Sequence, residues 1–184
     1  MNATSPFEII RRDPALSLGG QFISAYLAAN SGTGAQVAGT ETAPRGLALG
    51  AHATDENQLA PAGPKNFLGF LTRRVVVGGL SLADRVFGVT SATPVGTESP
   101  FTDGLEVTAE LAKTVEAEGT SYLLTSGTGA LTTSTAVGAL ISFAPDNSGR
   151  FYAAQAGDNT FFTVSANNLT SSDGTSLRMR FERV

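Results

Sequence analysis

Between Ser121 and Val164 apolar and polar positions change places every second residue, and turn-forming residues interrupt the pattern at short intervals. Val137, Ala139, Ile141 and Phe143 alternate with Gly138, Leu140, Ser142 and Ala144. A period of two puts each set on one face of a sheet. Asp146-Asn147-Ser148-Gly149 supplies the next turn, Phe151, Ala153 and Gln155 resume the alternation, and Gly157-Asp158-Asn159 turns the chain again before Phe162, Val164 and Ala166. Strands this short between turns this regular predict an antiparallel meander.

The same pattern extends outward. In Leu177–Val184, Leu177, Met179 and Phe181 are expected to face in and Arg178, Arg180 and Glu182 out, after a turn at Asp173-Gly174. Gly46–Ala53 reads as a strand, Asp55–Pro64 as a polar loop and Thr90–Phe101 as a loop punctuated by Pro94, Gly96 and Pro100. Phe67–Val77 is apolar on both faces, as a central strand is. Residues 21–34 fit a strand or a short helix. Gly104–Gly119 also fits both: its Ala, Glu, Leu and Lys content favours helix, yet Leu105, Val107, Ala109 and Leu111 alternate strictly with Glu106, Thr108, Glu110 and Ala112. The β neighbourhood favours strand.

Residues 1–20 read differently. Phe7, Ile9 and Ile10, then Leu16 and Leu18, flank Arg11-Arg12-Asp13-Pro14, and the proline breaks any regular element. The segment is too short to bury these groups by itself, so they pack on the parent domain, a sister subunit or another partner. The expected organisation is an extended N-terminal arm over 1–20 and a single β-rich body over 21–184, all-β in class.

Charge changes the picture. Charged residues make up 15% of the chain against about 25% in an ordinary globular protein; low charge suits a surface covered in an assembly. The net charge is −4 and only Lys65 and Lys113 are lysines, which argues against nucleic acid, whose phosphates need clustered cations. Cysteine is absent and His52 is the one histidine, excluding disulfides, thiolate nucleophiles and multi-histidine metal sites within one chain. No apolar run approaches membrane-spanning length and no signal-peptide core opens the chain, so no membrane partner is expected and the protein is expected to be made in a cytoplasm-like compartment.

Candidate chemistry is thin. His52 and Asp55 lack a G-x-S-x-G nucleophile elbow. Ser31-Gly32-Thr33-Gly34 and Ser126-Gly127-Thr128-Gly129 lack the Lys-Ser/Thr of a phosphate-binding loop and read as turns. Glu106 and Glu110 would lie about 13 Å apart along a strand, at roughly 3.3 Å per residue, too wide for a glycosidase pair. With Glu116 and Glu118 they read as a solvated face. The expectation is no enzyme, with no catalytic, cofactor-binding or metal-ligating residue.

Residues 45–165 resemble the short decoration (cement or head-stabilisation) proteins of tailed-bacteriophage capsids. The resemblance rests on Asn66–Arg73, Gly104–Val107 leading to Val115–Gly119, Leu124–Gly129 and Ala136–Ile141: a strand, a glycine-rich turn, an alternating return strand and an aromatic hairpin. It implies a small antiparallel β-barrel or β-tulip-like body, a homo-oligomer with the trimer favoured, and a seat on the outer capsid surface of the virion. There it would bridge neighbouring major capsid proteins against internal DNA pressure. The arm then makes Phe7, Ile9, Ile10, Leu16 and Leu18 candidates for capsid contact. Tyr152, Phe161 and Phe162 are candidates for oligomer contact. The alternative is a virion fibre or carbohydrate-binding β module stacking sugars on exposed aromatics among Tyr122, Phe151, Tyr152, Phe161 and Phe162.

Overall fold

A computed structural model describes residues 5–12, 22–27, 42–43, 45–51, 58–71, 75–76 and 105–184; for 22–27, 42–43, 58, 75–76 and 105–109 it describes the backbone path. The first glycine-rich segment at 31–34, the loop at 90–101, and Leu16, Leu18, His52 and Asp55 lie outside these residues.

Every regular element described is a strand: β1 Phe7–Arg12, β2 Phe22–Leu27, β3 Thr42–Ala43, β4 Ala48–Ala51, β5 Gln58–Pro61, β6 Gly69–Leu71, β7 Val75–Val76, β8 Leu105–Glu110, β9 Ala112–Glu118, β10 Leu140–Phe143, β11 Phe151–Ala153, β12 Phe162–Ala166 and β13 Arg178–Arg183. The all-β class expected from the alternation is what the chain adopts, and both ambiguous segments, 22–27 and 105–118, are strands. Part of the expected loop at 55–64 is strand β5.

The body is not one barrel. Six strands form an open sheet in the order β1-β9-β13-β12-β10-β11, every pair antiparallel. Five others, β2-β5-β4-β6-β8, pair into a small closed ring in which β2 and β5 run parallel. A two-stranded ladder, β3-β7, completes the set. Leu111 joins the two main units: Glu110 pairs with Phe22 and Phe70 in the ring, whereas Ala112 pairs with Arg12 in the sheet.

Period-two patterning sorts side chains between two interiors. Leu47 and Leu49, two apart, are buried but stand outside the main core cluster, as are Leu59 and Leu71. The intervening Ala48 and its partner Phe70 turn the other way and enter that cluster. There Phe70 meets Phe7 at 5.1 Å, Phe151 at 5.8 Å and Phe162 at 5.8 Å between ring centroids. Phe151 also stacks on Phe181 at 4.4 Å and 12°. Tilted and stacked ring pairs add about 0.5–1.5 kcal/mol each beyond the area they bury, so this shared core is the main tie between sheet and ring.

The two edges of the six-stranded sheet differ. β11 is covered, because Leu124 N–H donates to the Phe151 carbonyl, Phe151 N–H to that of Tyr122, and Ala153 N–H to that of Gly129. Tyr122–Leu124 and Gly129 do this from either side of the turn at Ser126–Gly129, where Gly127 and Gly129 hold φ of 85° and 74°, as its glycine content predicts. The other edge is β1, with register shifts between Ile9 and Arg12 and with Arg11 and Arg12 exposed. Bulges and edge charges discourage pairing with a further strand.

Candidate functional site

The segment expected as an extended arm is, over Phe7–Arg12, a strand of the protein's own sheet, the first of the three packings open to it. Phe7 is buried against Phe70 and Tyr122. Its ring lies on Gly46, where a Cβ would approach it to 2.2 Å and where φ is 87°. Ile9 packs half-buried on the same core, and Ile10 alone of the three stays exposed, at 47%. Phe7 and Ile9 are therefore withdrawn as capsid-contact candidates. Aromatic and β-branched side chains favour an extended chain here, and Pro6 is followed at once by the first paired residue.

On the opposite face of the same three strands sits a cluster of charge. Strand pairing puts Glu8 beside Glu116, Arg180 beside Glu116 and Arg178 beside Glu118. Arg178 is 2% exposed. Its Nε and Nη2 donate to Glu116 Oε2 at 2.9 and 2.7 Å, and its Nη1 to Glu118 Oε2 at 3.0 Å. The same Nη1 donates to the Ser5 carbonyl at 3.2 Å, and Nη2 stands 3.5 Å from Glu8 Oε2. Arg180 closes a second fork on Glu116 Oε1 at 2.8 and 2.6 Å. The loop before β13 folds back so that the Ser172 N–H and hydroxyl donate to Glu118 at 2.8 and 2.6 Å.

Burial pushes the Glu116 carboxyl up, but the hydrogen bonds and charges of Arg178 and Arg180 outweigh it and hold it below its ordinary value. Glu118 is likewise pushed up by burial and held down by Ser172 and Arg178. The burial that would lower Arg178 is overcome by Glu116, Glu118 and Glu8, so its pKa is raised. The expectation that these carboxylates form a solvated face is corrected: Glu110, Glu116 and Glu118 are buried. A general acid needs a raised carboxyl pKa; Glu116 and Glu118 have the reverse and serve as ties. At the far end of β1, Arg12 Nε reaches Glu110, so the strand is fastened to both sheet and ring.

The aromatic candidates are also placed otherwise than expected. Tyr122, Phe151, Tyr152 and Phe162 are buried. Phe161 is half-buried against Phe67 and Phe143 at 5.5 and 5.7 Å. Tyr152 donates its hydroxyl to Asp158; burial, then that bond, raises its pKa. No sugar can stack on rings spent in this way, so the sugar-stacking reading loses four of its five aromatics and the oligomer-contact reading loses Tyr152 and Phe162.

A different surface emerges. None of the 12 basic and 16 acidic residues falls in Gly119–Pro145 or in Asn159–Ser172. The fold brings these two charge-free segments together. Asn167 Nδ2 donates to the carbonyls of Thr132, Thr133 and Thr135 at 3.1, 3.0 and 2.7 Å. Gly138 N–H donates to the Val164 carbonyl, and Leu140 pairs with Thr163. The result is an ordered neutral face across Thr132–Leu140 and Thr163–Thr170, with Val137 67% and Leu140 54% exposed. It corrects the expected strand at 137–144, which begins only at Leu140; Val137 points to solvent from a turn. The charge gaps were legible in the sequence, but that they adjoin follows only from the fold.

Among the described residues no group of three or more His, Cys, Asp or Glu side chains is placed to hold a metal ion, and no helix is long and apolar enough to cross a membrane. No family model matches the chain, and neither curated proteins nor solved structures include one that matches it.

Proposed function

We propose that this is a structural virion protein that sits on the outer surface of a phage capsid, bridges neighbouring major capsid proteins and stabilises the head against internal DNA pressure. It would act as a homo-oligomer, with the trimer favoured. The observation that carries the reading is the ordered neutral face. Protein contact surfaces are depleted of charge at their centres, and a face fixed in advance by Asn167 loses little conformational entropy when covered. The ion cluster supports it from the other side. At β9 and β13, Glu116, Glu118, Arg178 and Arg180 are committed to fastening strands. Such a protein resists separation of its neighbours through interface free energy, repeated over a symmetric lattice.

The test is co-sedimentation with expanded capsids of the virus that carries the protein, followed by capsid melting. The protein should pellet with capsids at saturating stoichiometry and raise their disruption temperature. Neither binding nor a change in heat resistance would refute the proposal.

A further inference from the structure

We infer that the neutral face is where copies of this chain meet one another. The inference rests on reading that face as an interface, and it does not depend on the capsid. Its ground is chemical self-complementarity. The exposed polar groups of the face are hydroxyls and amides, among them Thr132, Thr133, Ser134, Asn168 and Thr170. Each hydroxyl both donates and accepts a hydrogen bond, and each amide carries both functions on its two ends. A surface of this kind can satisfy an identical copy of itself. A surface of carboxylates, which only accept, or of guanidiniums, which only donate, cannot.

Charge points the same way. The chain carries a net charge of −4, so two copies repel overall. Approach through a patch with no ionisable group brings no like charges into direct contact. Across the sheet the patch is bordered by Arg180 and Glu182, since Thr163 pairs with Glu182 and Ala166 with Arg180. The Arg180 guanidinium on that border is already matched to Glu116, so the border adds little uncompensated positive charge to the approach of a copy.

Val137 and Leu140 supply the apolar centre that a polar patch needs for net affinity. The β1 edge is the poorer candidate, because its register shifts and its exposed Arg11 and Arg12 oppose strand addition by a like-charged copy.

The experiment is sedimentation velocity of the full chain over a range of concentrations. It compares the wild type, a Val137→Lys/Leu140→Lys variant, a Ser134→Arg variant and an Ile10→Lys control, each checked for an unchanged melting transition. The expected result is a wild-type mass that is a multiple of the single chain. Association should weaken at least about 100-fold in the double variant, because each new ammonium group would be desolvated in the contact without an opposite charge to meet it. Ser134→Arg, in an exposed turn, should weaken it in the same direction even if the double variant folds poorly, and Ile10→Lys should leave it unchanged. A wild type that stays a single chain at all concentrations overturns the inference. So does an oligomer indifferent to both neutral-face variants, or one dissociated by Ile10→Lys. A single chain that still pellets with capsids would give the face to the capsid and leave the decoration reading standing. An oligomer that ignores capsids would do the opposite.

Discussion

The two halves of the six-stranded sheet treat charge in opposite ways. At the β1-β9-β13 end, carboxylates and guanidiniums share one face and are matched to one another, with Arg178, Glu116 and Glu118 buried. At the β12-β10 end and its connecting turns there is no acidic or basic side chain from Asn159 to Ser172 or from Gly119 to Pro145, and Val137 and Leu140 stand exposed. Both ends share one aromatic core, so burial of apolar area does not separate them. The difference lies in what each end does with its outer face. The charged end fixes where the N-terminal strand lies. The neutral end is left free of the desolvation cost that a charge would impose on any partner.

Substitutions at the charged end should have the largest effect. Arg178→Ala leaves Glu116 and Glu118 buried without their shared guanidinium. It should cost about 3–5 kcal/mol, or a melting-temperature fall of roughly 6–20 °C for a chain of this size. A fall of under about 2 °C in calorimetry would show that the cluster is not a tie.

Acid should then separate the two ends. Glu116 and Glu118 have folded pKa values below the ordinary 4.5. Their contribution to stability is therefore fully present above about pH 4.5 and is lost as pH falls below it through the depressed folded values. Protection factors at β1, which remove the intrinsic pH dependence of amide exchange, should fall between about pH 4.5 and about 3 more than those at Thr132–Leu140, where nothing titrates. An equal fall at both ends would erase the contrast.

A smaller, local effect is expected from Asn167→Ala. Removing one amide that serves three carbonyls should cost about 1–3 kcal/mol and loosen Thr132–Thr135 while β1 keeps its protection. Proteolysis confined to that turn would report it. Smallest of all, Val137→Ser should change stability by no more than about 0.5 kcal/mol, since the side chain meets solvent, yet it should weaken self-association. A large loss of thermal stability would mean that Val137 is already packed within its own chain.

Much of the architecture was legible in the sequence. The alternation in Leu177–Val184 correctly turns Met179 and Phe181 inward. It also puts Arg178 and Arg180 on the opposite face, but it cannot tell that Arg178 is buried there. Their partners Glu116 and Glu118 stand about sixty positions earlier, and strand order is not written in local periodicity. The same reason hid the fate of Phe7. Its pocket is assembled from Gly46, Phe70 and Tyr122, distant residues whose convergence no terminal pattern announces. Phe161-Phe162 shows the limit of alternation at a strand boundary. Phe162 begins β12 and points into the core, while Phe161, just before it, packs against Phe67 from the chain leading into the ring. The neutral face was the reverse case: its absence of charge was plain in the letters, but its meaning depended on Asn167 reaching across to Thr132–Thr135.

The most direct measurement is hydrogen–deuterium exchange of the protein in its assembled and dilute states. The account predicts slower exchange on assembly in Thr132–Leu140 and Thr163–Thr170, with β1 and β9 unchanged. Protection gained at Ile10–Arg12 instead, with the neutral face unaltered, would contradict it.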